Sequence, residues 1–213
     1  MSVERFFGEA VRARVAEAVR RAERLSRGQI VPVVVERSDP YPEVRFRGGL
    51  LLAALATAAV LVLRLPLGLA ELVLVQGAAG AAGALLSLWD PVERLLAGHR
   101  AMEEAARARA VRAFAEHGLH HTEEGTGVLL FASLFERRAV VLGDHGIHQR
   151  IGEAEWERAV AALVAGMRRG DPGQGFVDAV ALCGARLAEH FPRDPATTAT
   201  PNELEDAIRV ERG

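Results

Sequence analysis

Lysine is absent from the 213 residues: all 26 basic side chains are arginine, set against 28 acidic ones. That bias reflects base composition rather than chemistry. The formal net charge of −2 leaves no basic excess of the kind nucleic-acid binders carry, so no nucleic-acid partner is expected. Cysteine occurs once, at Cys183, which excludes an internal disulfide framework and a cysteine-based zinc site. Aromatics make up 5% of a chain that is 50% hydrophobic, so aliphatic side chains, alanine and glycine carry the apolar content. Residues 1–40 contain no apolar stretch of the signal-peptide kind, and no cleavable leader is expected. A phosphate-cradling glycine loop, a nucleophile elbow, an HExxH pair and internal repeats are missing as well. The length suits one or two domains.

What is present is unevenly spread. Gly48 to Leu63 holds no charge, and a second apolar stretch runs from Leu72 to Trp89. Both are apolar all round, whereas the helix of a soluble surface keeps a polar face. Crossing a hydrocarbon core takes about 20 helical residues. Gly48–Leu65 and Leu67–Trp89 meet that length, with Arg64-Leu65-Pro66-Leu67-Gly68 as the break between them. We expect a two-helix transmembrane hairpin, with Arg64 snorkelling at the turn and Glu71 as its partner. Gly77, Gly80, Ala81, Gly83 and Ala84 are small enough to let the two helix backbones approach. Arg37, Arg45 and Arg47 precede the hairpin and Arg94, Arg100, Arg107, Arg109 and Arg112 follow it, against Arg64 alone in the turn. The positive-inside rule then puts both termini in the cytoplasm of a bacterium, with the hairpin in its inner membrane and Trp89 at an interface.

The polar sequence divides around this insert. Val3–Leu25 spaces Phe7, Val11, Val15, Ala18, Ala22 and Leu25 as one helical face. Gln29–Glu36 is a β-branched strand in which Pro32 requires an edge or a non-bonded position. Beyond the hairpin, Pro91–His117 is expected as a helix, with Leu95, Leu96, Met102, Ala106, Ala110 and Phe114 facing inward. Val128–Phe135 is a doubly buried strand, turned by Glu136-Arg137 into Arg138–Gly143. Glu153–Met167 and a last helix through Phe176, Val180, Gly184, Leu187 and Phe191 complete the pattern. The tail closes with a short Asn202–Arg209 segment. One strand before the hairpin and two after it need each other, since an isolated two-stranded ribbon is marginal in water.

This order of elements resembles the TPM domain family, named for thylakoid, photosystem and modulator proteins. Ser26-Arg27-Gly28-Gln29-Ile30-Val31 is similar to the family's "TSGEIVV" turn into a strand. Thr126 through Arg138 (TGVLLFASLFERR) resembles "TGVLIFVSLxERR". Asp144-His145-Gly146-Ile147 resembles "DxGI", and Trp156, Cys183-Gly184 and His190-Phe191-Pro192 match the later "CG…HFP". With Asn202-Glu203-Leu204, the likeness extends over essentially the whole chain and points to the subgroup split by a membrane hairpin. It implies a small α/β sandwich: residues 1–42 and 91–192 its two parts, 48–89 the hairpin, 193–213 a flexible tail. It also implies a membrane-tethered accessory protein that assists another membrane protein, or else a divalent-cation-dependent phosphatase. Gln29 stands where the family turn usually carries glutamate, which removes a carboxylate from any cation site.

Candidate chemistry rests on three clusters. Asp144, with His145 and His148, sits at a strand end, where an Asp–His pair can ligate a cation or act as general acid and base; the plainer reading is a turn cap. Asp144 is the candidate catalytic residue. His117, His120, His121, Glu123 and Glu124 have zinc-ligand chemistry, with a solvated loop as the plainer reading. Glu136, Arg137 and Arg138 can bind an anion through guanidinium forks, or can simply form a hairpin turn. Cys183 and Trp156 read as core residues, and His190 as a cation at a helix end.

Overall fold

A computed structural model describes residues 3–121, 125–193 and 207–211, without the side chains of His121, His148 and Glu153. The chain divides into one unit formed by 1–38 with 103–213 and a second formed by 39–102. The expected first helix is two: α1 (Val3–Phe6) and α2 (Glu9–Glu23), separated at Phe7-Gly8. Gly8 takes extended backbone (φ −64°, ψ 167°), which ends one helix and begins the next. Leu25 falls past the end of α2 and is 63% exposed, not on the buried face. Strand β1 (Gln29–Val35) follows.

The second unit contains α3 (Pro42–Val62), α4 (Leu69–Leu86) and α5 (Asp90–Ala97). Helix α3 starts earlier than expected because Pro42 occupies its first turn, where a missing N–H costs nothing. Helices α3 and α4 pack as an antiparallel pair on small residues. A Cβ on Gly83 would lie 2.3 Å from the Gly48 carbonyl oxygen, and one on Gly49 would lie 3.0 Å from that of Gly80. Gly77 takes no part: a Cβ there meets nothing within 4 Å. Gln76 Nε2 donates to Thr57 Oγ1 across the pair at 2.8 Å. Glu71 accepts the Gly68 N–H at 2.9 Å and so caps its own helix instead of meeting Arg64. The expected Pro91–His117 helix breaks at Gly98 (φ +80°), giving α5 and α6 (His99–Glu116), and Leu95 lies 79% exposed.

Within the first unit, β2 (Gly127–Ser133) and β3 (Arg138–Gly143) form the antiparallel ribbon. Four residues, Leu134 to Arg137, make its turn where two were expected; Arg137 takes the left-handed position at φ +53°. Helices α7 (His145–His148), α8 (Glu157–Arg169) and α9 (Pro172–His190) follow, with a 3₁₀ turn at Glu153–Trp156 leading into α8. The segment expected as a flexible tail supplies a fourth strand, β4 (Arg209–Glu211). Most of the expected Asn202–Arg209 segment lies outside the described residues.

The sheet order is β3-β2-β1-β4, with β1 parallel to both β2 and β4. Pro32 therefore sits in a central strand, and the register explains how. The Gln29 N–H bonds the Thr126 carbonyl toward β2, whereas the Glu36 N–H bonds the Glu211 carbonyl toward β4. Alternation sends residues 30, 32 and 34 toward β4, which pairs only with Val33–Val35. Pro32 thus lacks its donor where no ladder bond is due. Just before it, the Ile30 N–H is taken by the Glu23 carboxylate at 2.8 Å.

Alternation also sorts the core. Ile30, Val34, Val128 and Leu130 face α2, α8 and α9, packing with Val15, Val19, Leu163, Phe176 and Leu187. Val31, Val33, Val35, Leu129 and Phe131 pack on the other face with Ala106, Ala110 and Ala113 of α6. Each large aliphatic or aromatic side chain so buried stabilises by about 1.5–3 kcal/mol. The result is a mixed α/β sandwich with helices on both faces of the sheet.

Candidate functional site

The N-terminal ends of β1 and β2 and the C-terminal end of β3 coincide. Gln29 pairs with Gly127, and Val128 with Gly143, one residue before Asp144. Asp144 is tied in by its N–H to the Gly127 carbonyl (2.9 Å), and its Oδ1 accepts the His145 N–H (2.7 Å), making it the N-cap of α7. Gly125, at φ +62°, lies alongside: a Cβ there would lie 3.3 Å from Gly146 N and 3.6 Å from Asp144 Oδ2. His145 Nε2 bonds Gln149 Nε2 one turn along (2.8 Å). At the same sheet end Gln29 is 8% exposed, and its Oε1 is buried with no hydrogen-bond partner among the described residues. A buried amide oxygen without a donor is costly, and the sequence signals Gln29 only as a lost carboxylate. This end therefore offers one amide oxygen and one free carboxylate oxygen. Calcium takes about six to eight oxygen ligands, and among the described residues no three His, Cys, Asp or Glu side chains gather as a metal site.

The Glu136-Arg137-Arg138 triplet lies at the other end of the ribbon, where Ser133 pairs with Arg138. Five strand steps place Arg138 about 17 Å from Gly143, the residue before Asp144, so the two do not form one small-molecule site. Glu136 turns inward and is 4% exposed: it accepts the Ser38 N–H at 2.9 Å and a short bond from the Ser133 hydroxyl. Its carboxylate holds the turn rather than an anion. Arg137 is exposed at the tip.

His117 is placed in a polar network that the sequence did not signal. Its Nε2 bonds Glu211 Oε1 at 2.9 Å, and Arg209 makes a short contact to its Nδ1. Arg109 bridges Glu116 at 3.0 Å and also Glu211. A guanidinium only donates, so Nδ1 must carry a lone pair and the neutral ring holds its proton on Nε2. Burial lowers the His117 pKa below its ordinary 6.5 and the Arg209 charge lowers it further, against the opposing pull of Glu211. These bonds tie β4 to the end of α6. Glu123 and Glu124 lie outside the described residues, as do the side chains of His121 and His148. Trp156 and Cys183 are core residues, the thiol pushed up to about 12 by burial. His190 closes α9 and gives its carbonyl to Arg150 at 3.3 Å.

Residues 94–186 match the family model described as the TPM domain. No curated protein matches the chain. Among solved structures, the NMR structure of BA42 protein from the psychrophilic bacterium Bizionia argentinensis superposes with a TM-score of 0.61. It shares 18% identity and covers 99% of each chain. At that identity the likeness concerns the fold alone.

Proposed function

We propose, from the match of residues 94–186 to the TPM domain model, that this is a membrane-tethered accessory protein of the TPM type. Its α3–α4 hairpin lies in the bacterial inner membrane, and its α/β domain, with both termini, lies in the cytoplasm. There it assists or stabilises another membrane protein. One observation carries the tether: among the described residues, much of the hairpin's apolar surface lies exposed. Leu61, Val62, Leu69 and Leu74 are 70%, 80%, 81% and 72% exposed. Over their most apolar 18 residues, α3 and α4 are only 17% and 6% buried, unlike core helices of a soluble protein. Water does not tolerate so continuous an apolar surface, and a bilayer removes the cost.

The accessory role is supported by where the charged candidates go. Glu136, His117 and Asp144 spend their hydrogen bonds on a turn, a strand and a helix cap. Carbonate washing of membranes should leave the chain in the pellet, and its release would overturn the tether. Cross-linking in intact membranes at native expression should trap a reproducible partner; a clean monomer would end the accessory reading. Phosphate release by the purified chain with a divalent ion, lost in Asp144→Asn, would replace it with the phosphatase reading.

A further inference from the structure

Helices α2 and α9 touch where Gly184 meets Ala22; a Cβ on Gly184 would lie 2.5 Å from the Ala22 Cβ. Above that contact the helices leave an open groove of about 590 Å³. Its lining runs along α2 from Ala13 to Ala22, about 14 Å at 1.5 Å per residue, and continues to Leu25 just past the helix end. The α9 wall is Ala181 and Ala185, small and uncharged, and Leu25 lies 63% exposed at one end. The α2 wall carries Arg14 and Arg21, seven residues apart and so two turns apart on one side. The acidic residue between them is already neutralised. Both Glu17 oxygens are held, by Arg20 at 3.1 Å and by Arg24 at 3.3 Å, and these bonds lower its pKa. Arg14 has a neutral partner, the Gln174 amide oxygen. The groove thus has an apolar floor and one wall of uncompensated positive charge.

We propose that this groove receives an amphipathic helix of the assisted protein, with its apolar face on the alanine floor and two acidic residues against Arg14 and Arg21. The dimensions suit that mode. A helix recognised through positions i, i+3 or i+4, and i+7 spans about 10 Å between its outer anchors. Two acidic residues seven apart then match the two arginines turn for turn. The proposal deepens the accessory reading, on which it rests, by naming the docking face and the partner's chemistry.

The test uses the full chain in nanodiscs and a fluorescent helical peptide of about four turns, with leucines along one face and two glutamates seven residues apart. A twin peptide carries glutamine at both positions. The glutamate peptide is expected to bind at least about tenfold more tightly, a difference of about 1.4 kcal/mol. Arg21→Gln should erase that preference while leaving the glutamine peptide unchanged, and Ala181→Trp, on the exposed floor, should abolish binding of both. Equal binding of the two peptides, or no binding of either, overturns the proposal. So does displacement of the bound peptide by oleate, which would assign the groove to an acyl chain, and so does dimerisation blocked by Ala181→Trp, which would assign it to a second copy. A partner still cross-linked to Ala181→Trp in membranes would sink the groove and keep the accessory role, whereas its absence from the wild type would sink the role.

Discussion

At the scale of single residues, the structure assigns several candidate side chains to holding the fold, and two of them yield sharp expectations. His117 is neutral because Arg209 donates to Nδ1 and because burial opposes its charge. Its folded pKa lies below the unfolded one, so the unfolded chain takes up the proton first as pH falls. The stability this arrangement contributes is complete above about 6.5 and is lost progressively below it, down to the lowered folded value. Imidazole NMR should place the His117 midpoint below that of a free histidine. Arg209→Gln should raise it by removing a like charge, and Glu211→Gln should lower it further. A midpoint at or above the ordinary value would refute the network. Glu136 is the second case. Replacing it with alanine strands the Ser38 N–H and the buried Ser133 hydroxyl, and each unsatisfied group costs about 1–3 kcal/mol. Glu136→Ala should lower the thermal midpoint, whereas Arg137→Ala, at the exposed tip, should barely move it. Equal midpoints would return the triplet to consideration as an anion site.

At the scale of elements, legibility follows length and composition. β1 and β2 announce themselves as unbroken β-branched and aliphatic runs, and a strand buried on both faces has to read that way. β4 does not: three residues, Arg209 to Glu211, carry no periodicity. What holds them is pairing to β1 and a side-chain network that links His117 to Glu211, 94 residues further along the sequence, which local pattern cannot reveal. The breaks at Gly8 and Gly98 are hidden for a related reason. Hydrophobic spacing continues across each glycine, and only tertiary packing decides that the helix stops. The hairpin is legible as a pair of helices, but which glycines face inward is not, because glycines at 77, 80 and 83 look alike in sequence. Geometry separates them. Gly83→Ala forces a Cβ toward the Gly48 carbonyl at 2.3 Å, while Gly77→Ala meets open space. The first should destabilise the pair by about 1–3 kcal/mol, the usual cost of overpacking. The second should be neutral in thermal unfolding monitored by circular dichroism in detergent. Equal effects would mean that α3 and α4 do not pack on this face.

At the scale of the whole molecule, the fold class and the split of the domain by an apolar insert are legible in the sequence alone, because bulk hydropathy and the need of strands for partners fix both. Orientation across the bilayer rests on arginine placement, and the chain's chemistry makes that testable with little background. Cys183 is the only cysteine, is fully buried, and has its thiol pushed up to about 12 by burial. A thiol so desolvated forms almost no thiolate near neutrality and does not label. One cysteine added at an exposed position therefore reports alone, with Cys183→Ala as the check. Glu9 and Glu157 are exposed on either side of the insert in sequence, and Gly68 is exposed in its turn. In intact spheroplasts an impermeant maleimide should label Gly68→Cys and spare Glu9→Cys and Glu157→Cys until the membrane is opened. The reverse pattern would invert the topology and move the α/β domain out of the cytoplasm. Labelling of only one of the two glutamate positions from outside would exclude a hairpin altogether, since an even number of crossings must return the chain to the side it left.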